Sequence, residues 1–291
     1  MNSTISDRPS TISLVSPPKG FTPGQFAICL KGIVWRESLR FLHQRERFIS
    51  ALVRPLVWLF IFAAGFRQVL GLSIIPPYQT YILYAEYITP GLIAMIQLFN
   101  GMQSSLSMVY DREMGNMRTL LVSPFPRWYL LCSKLIAGTA VSLLQVYAFL
   151  LIAWFWEIGP PPVGYLLVLP ALVLCGLMLG ALGMLISSAI KQLENFAGVM
   201  NFVIFPMFFA SSALYPLWQV RESSPLLYYV CEFNPFTHAV ELIRFALYAQ
   251  VNWLSLAVVG GCTVLFVLGA ILAYDPSRGL ITRRGEAAGA A

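Results

Sequence analysis

The sequence predicts an all-α membrane protein: six transmembrane helices, an N-terminal amphipathic interfacial helix, and short re-entrant helices before the last span. Three observations predict it. Of 291 residues, 58% are hydrophobic and 11% are charged, where a soluble domain typically carries about 25% charge. Mean hydropathy is +0.71, so most side chains need a solvent other than water, and the bilayer is that solvent. Apolar runs of roughly 20 residues, the length that crosses a ~30 Å hydrocarbon core, recur along the chain.

Residues 1–24 are polar and rich in Ser, Thr and Pro, with no apolar core of a signal peptide. They read as a disordered cytoplasmic tail. Residues 25–48 read as the interfacial helix. Arg36, Arg40, His43 and Arg47 recur at intervals of four, three and four, which places them on one helical face, while Phe26, Leu30, Ile33, Val34 and Phe41 occupy others. A solvated helix with ordinary surface charge is the plainer alternative.

The six-helix transmembrane domain occupies 49–274, with spans at about 49–70, 83–109, 129–156, 164–188, 197–217 and 251–274. Gly176, Gly180, Gly183 and Ser187 form a stripe of small residues in the fourth span, which lets another helix approach closely. Between the fifth and sixth spans, residues 217–250 are too polar to span and too apolar for a free loop. Pro225 and Pro235 break this region, and its Trp, Tyr and Phe suit an interface belt. It reads as two short helices that dip into the outer leaflet and return. A tail follows over 275–291.

Orientation follows from the lysines and arginines. With six spans, 15 of the 19 fall on the side of the termini, three fall on the other side (Arg67, Arg221 and Arg244), and Arg54 lies within the first span. Both termini are therefore expected in the cytoplasm. Arg54, beside Pro55, is expected to snorkel to the inner interface. The +6 net charge belongs to membrane orientation rather than to nucleic acid.

Several chemistries have no sequence support. The five cysteines form no CxxC pair, and neither a zinc site nor a disulfide framework is expected. The chain has no HExxH or GxSxG motif and no GxxxxGK[ST] phosphate loop, so it is not expected to bind or hydrolyse ATP itself. No carboxylate is firmly placed at mid-span, where an ion-driven transporter usually keeps one. A secondary transporter and an integral membrane lipid-modifying enzyme remain as alternatives. The enzyme would have only Glu232, His238 and Glu241 as a polar cluster.

Charge gathers instead in "YDREMGNMRTLLVSPFPRWYLL", residues 110–131, between the second and third spans. Met114, Met117 and Leu121 share a helical face, Arg112, Glu113 and Arg118 offer polar contacts, and Pro124 and Pro126 stop the helix. This suits a docking site for a cytoplasmic partner; a plain loop obeying the positive-inside rule is the alternative.

These residues resemble the membrane subunits of type-2 ABC transporters, the exporter permeases. The likeness rests on "DREMGNMRTLLVSPFPRWYLLCSK" (111–134), on "FPMFFASSALYPL" in the fifth span and on "NPFTHAVELIR" (234–244). It covers about residues 25–275, and the short outer loops are similar to those of nodulation-factor and antibiotic-exporter permeases. The chain departs from the pattern at Arg118, where many relatives carry a carboxylate, and at Ser211-Ser212, where many have Ser-Gly.

The resemblance implies a permease of the bacterial cytoplasmic membrane that holds no cofactor itself. It would work with two copies of an ATP-binding subunit, which hold ATP and magnesium, and with a second permease, forming a homodimer or a heterodimer. Asp111, Arg112, Glu113, Gly115, Arg118, Leu121, Pro124 and Arg127 would form the coupling segment, a helix at about 111–124. Arg36, Arg40 and Arg47 of the interfacial helix would join the same interface. Substrate would pass between two permeases, lined mainly by the second and fifth spans; an amphiphile, a drug-like molecule or a lipid-linked sugar would suit it. Asn234, Pro235, Glu241 and Arg244 are the candidate outer gate. Glu241 and Arg244, three apart on one helical face, either pair there or anchor a short helix at the interface.

Overall fold

The computed structural model describes residues 22–43, 45–65, 76–78, 82–113, 125–156, 160–190 and 192–273, and within them the ordered elements are helices. Helices α1 (Pro23–His43) and α2 (Arg45–Gly65) precede α3 (Tyr84–Glu113) and α4 (Arg127–Phe155). The short α5 (Gly164–Leu167) leads into α6 (Leu169–Ala189), and α7 (Leu193–Phe209) follows. Helices α8 (Leu217–Ser223), α9 (Pro225–Phe233) and α10 (Pro235–Leu247) come before α11 (Trp253–Ala273).

Among the described residues, four stretches are long and apolar enough to cross a membrane: Tyr84–Tyr110, Trp128–Phe155, Gly164–Ala189 and Trp253–Ala273. The other two expected spans correspond to shorter apolar stretches, Leu52–Phe62 in α2 and Glu194–Phe209 in α7. The fifth span ends at Phe209 rather than near 217, because the chain turns out of helix at Ala210. At 17 residues, α7 is about 25 Å long, short of a full hydrocarbon crossing. In α2, Arg54 interrupts the apolar run, and residues 66–70 of the expected span lie outside the described residues.

Arg36 and Arg40 lie on α1 and Arg47 on α2; residue 44, between the two helices, lies outside the described residues. The expected fourth span corresponds to the stretch Gly164–Ala189, in which α5 and α6 meet at Val168, where Pro170 has no N–H to offer the Leu166 carbonyl. The region 217–250 holds three helices, not two. Ser224 and Asn234 cap the second and third of these, accepting from Leu227 N and Phe236 N, and Pro225 and Pro235 take the first helical positions. Of the tails, residues 1–21 and 274–291 lie outside the described residues.

Helix α3 is the centre of the molecule. It packs against α2, α4, α6, α7 and α10 and buries Leu92, Ile93, Leu98 and Met102 completely. Its most extensive partner is α6, and the small-residue stripe explains why. A Cβ added to Gly101 would stand 2.9 Å from the Gly180 Cα, and one added to Gly183 would stand 2.8 Å from the Gly101 carbonyl oxygen. The two backbones therefore touch, and dispersion replaces the hydrophobic drive that lipid cannot supply. The same stripe admits α4, whose Thr139 and Leu135 lie over Gly176 and Gly180.

Candidate functional site

The candidate site has two parts, at opposite ends of α3. The 30 residues of this helix span about 45 Å.

At the Tyr84 end, the break after α7 creates a demand for hydrogen-bond donors. A helix leaves its last carbonyls without intrahelical partners, and an irregular segment at membrane depth must find partners within the protein. Residues 210–216 are such a segment, and side chains from elsewhere satisfy it. Asn234 Nδ2 donates to the carbonyls of Met207 (2.8 Å) and Ala210 (2.7 Å). Tyr84 Oη donates to Leu214 O at 2.8 Å and Tyr87 Oη to Ser212 O at 3.1 Å. Arg244 Nη2 donates to the same Ser212 oxygen at 2.8 Å. Ser211 Oγ donates to Phe208 O at 2.6 Å and accepts from Ala213 N at 3.2 Å. Gly91, on the face of α3 that carries Tyr84 and Tyr87, lets Ala213 lie against the helix; a Cβ there would meet the Ala213 Cβ at 2.7 Å.

Arg244 is the hub. It is 3% exposed, donates through Nη1 to the Glu241 carboxylate, and places its guanidinium carbon 4.2 Å from the Tyr87 ring centroid. Burial of a guanidinium is tolerated because a carboxylate, a carbonyl and an aromatic face all meet it. Most of α10 is equally buried, including Phe236, Val240, Ile243 and Leu247, so this helix plugs the bundle against α3, α6 and α11.

Sequence reading placed Asn234, Pro235, Glu241 and Arg244 together, and the structure brings all four to this end of the bundle. It missed Tyr84, Tyr87 and Gly91; their i, i+3, i+7 spacing at the start of a span was the available signal. The Glu232, His238, Glu241 cluster is not assembled for acid–base work. His238 Nε2 meets the Glu232 backbone oxygen at 3.0 Å, and the Glu241 carboxylate is held by Arg244.

At the other end, Asp111, Arg112 and Glu113 are the last residues of α3, continuing the span rather than opening a separate helix. Gly115, Arg118, Leu121 and Pro124 lie outside the described residues, and Arg127 is the first residue of α4. Helix α1 docks beside this segment. The Phe26 ring lies edge-on to Phe125 (5.4 Å) and Tyr129 (4.8 Å), and Tyr129 Oη donates to the Phe26 carbonyl. Arg36 lies on the exposed side of α1, bonded to Glu37 at 2.9 Å; such an exposed pair contributes little stability. Arg40 is also on α1, and Arg47 is on α2. Arg54 sets its guanidinium carbon 4.1 Å from the ring centroid of Phe99.

Comparison with known proteins gives a consistent result. Residues 29–248 match the family model described as "ABC-2 type transporter". The chain is 30% identical to a protein of Cyanophora paradoxa named as a transport permease, ycf38, over 71% of this chain and 69% of that one. A ycf38 protein of Pyropia yezoensis is 25% identical over 77% of this chain and 75% of its own length. An Escherichia coli K12 protein named as a multidrug ABC transporter permease, YbhR, is 32% identical over 57% of this chain and 45% of its own length.

Proposed function

Because the chain belongs to the ABC-2 type transporter family, and is thus the membrane permease subunit of an ABC transporter, we propose that it forms the pathway of an ATP-driven exporter. Hydrolysis belongs to a separate ATP-binding subunit, two copies of which hold ATP and magnesium beneath a pair of permeases. Both termini face the cytoplasm, as the charge bias directs. Residues 111–127 receive the partner's movement, and α1, fixed to Phe125 and Tyr129, braces that contact. The transported molecule is amphiphilic or drug-like, a class in keeping with the name of the Escherichia coli relative.

The observation that carries this reading is the continuity of α3 from Tyr84 to Glu113. A helix this long and this enclosed moves as a rod. Displacement at Asp111–Glu113 is felt at Tyr84, Tyr87 and Gly91, and so at the irregular segment and the Arg244 plug. Each ATP cycle thereby loosens or closes the Arg244 end.

Co-expression with a candidate ATP-binding subunit tests the proposal. The two co-purify, and ATPase activity belongs to the complex, with none above background from the permease alone. Sustained hydrolysis by the pure permease would overturn it.

A further inference from the structure

A second polar feature lies away from both parts of the site. Helices α2, α3, α4 and α7 enclose a cavity of about 110 Å³ lined by Arg54, Met95, Phe99, Asn100, Gln145 and Met200, room for a few waters at ~30 Å³ each or one small head group. Most of its polar groups are donors or amides. Arg54 stands at its wall, and no carboxylate pairs with it among the described residues. Asn100 is 7% exposed, and its Nδ2 has no hydrogen-bond partner. A cation without a carboxylate partner, beside an unsatisfied buried amide donor, marks a place for a negative or acceptor-rich group.

A chain of aromatic rings leads away from Phe99 at the cavity wall. Phe99 meets Phe205 at 6.5 Å, Phe205 stacks with Phe209 at 6.4 Å, Phe209 meets Trp58 at 6.2 Å, and Trp58 stacks on Phe62 at 5.2 Å. Phe205 and Phe209 are exposed at the surface of α7.

We propose that this cavity binds the anionic, acceptor-rich head group of an amphiphile between Arg54 and Asn100, with the hydrocarbon tail lying along Phe205, Phe209 and Trp58. The assignment rests on the transport reading and deepens it, since it names the charge of the molecule carried.

The test is equilibrium binding of radiolabelled dodecyl phosphate to the purified permease in phosphatidylcholine nanodiscs. Wild type binds saturably. Arg54→Gln and Asn100→Leu, each with an unchanged melting temperature, weaken binding at least about tenfold and severalfold respectively, and Arg54→Lys retains most of it. Dodecyltrimethylammonium does not compete. If Arg54→Gln does not fold, Asn100→Leu with Gln145→Leu decides the matter. Suppressed binding in phosphatidylglycerol nanodiscs identifies a bilayer lipid as an occupant, and competition by inorganic phosphate identifies the head group alone as sufficient. Undiminished binding by the folded variants, or equal competition by the cationic amphiphile, overturns the proposal. Partner-dependent ATPase is scored separately, so loss of binding with that activity intact defeats this inference alone.

Discussion

Arg244 and Tyr87 meet face-on and share one acceptor: the guanidinium carbon is 4.2 Å from the ring centroid, and both side chains donate to the carbonyl of Ser212, at 2.8 Å and 3.1 Å. Three elements that are distant in sequence are thus fastened at a single oxygen. The break after α7 is stable because α3 and α10 supply donors to it together.

Removing the guanidinium therefore costs more than removing its carboxylate. Arg244→Leu removes one of the two side-chain donors to the buried Ser212 carbonyl, leaving Tyr87 alone there, and leaves Glu241 without its ion-pair partner. A loss of about 3–5 kcal/mol is expected, the range for breaking a buried ion pair. Glu241 is 19% exposed, so Glu241→Gln is milder, nearer 1–2 kcal/mol. Denaturation of the detergent-solubilised variants measures both, and equal losses would contradict the role given to Ser212.

Glycine substitutions separate close approach from mere helix composition. In Gly91→Ala the new Cβ falls 2.7 Å from the Ala213 Cβ and 2.8 Å from its backbone, so the irregular segment must shift, at a cost of about 1–3 kcal/mol. Gly198→Ala in α7 meets nothing within 4 Å and should stabilise by about 0.5–1 kcal/mol. Thermal unfolding of the two variants should move in opposite directions.

Ala249 holds φ at 57° just beyond α10. Gln250 N donates to Phe245 O at 2.9 Å and Ala249 N to Ala246 O at 3.1 Å, the paired bonds of a Schellman motif that glycine favours. Ala249→Gly should raise stability by about 1 kcal/mol by relieving the left-handed cost. An unchanged or lower unfolding midpoint would contradict this.

Topology is testable by labelling. In a background without the five native cysteines, an impermeant maleimide applied from outside should modify Gln219→Cys and spare Asn116→Cys. The reverse pattern would invert the orientation drawn from charge.

Much of this architecture was legible because hydropathy and length are additive along a chain. The spans at 83–109, 129–156 and 251–274 lie within a few residues of α3, α4 and α11. Proline punctuation located α9 and α10, since Pro225 and Pro235 occupy first helical positions. The early stop of α7 was not legible. Residues 210–216 are apolar enough to continue a span, and only donors from Tyr84, Tyr87, Asn234 and Arg244 make the irregular path stable. Of the candidate site, the Glu241–Arg244 pair could be read from spacing within one helix, whereas Ser212 and Tyr87 could not, because their meeting depends on tertiary packing.

The most direct test of the coupling role given to residues 111–127 is the Glu113→Arg variant, assayed for co-purification of the ATP-binding subunit, with membrane abundance as the control. Reversal of one charged contact in a partner interface costs about 2–5 kcal/mol, which is roughly 30-fold or more in affinity. Near-normal abundance with association weakened by at least that factor is the predicted result. Normal abundance with undiminished association would contradict it, and so would a collapse of abundance, which would assign this end of α3 to folding instead.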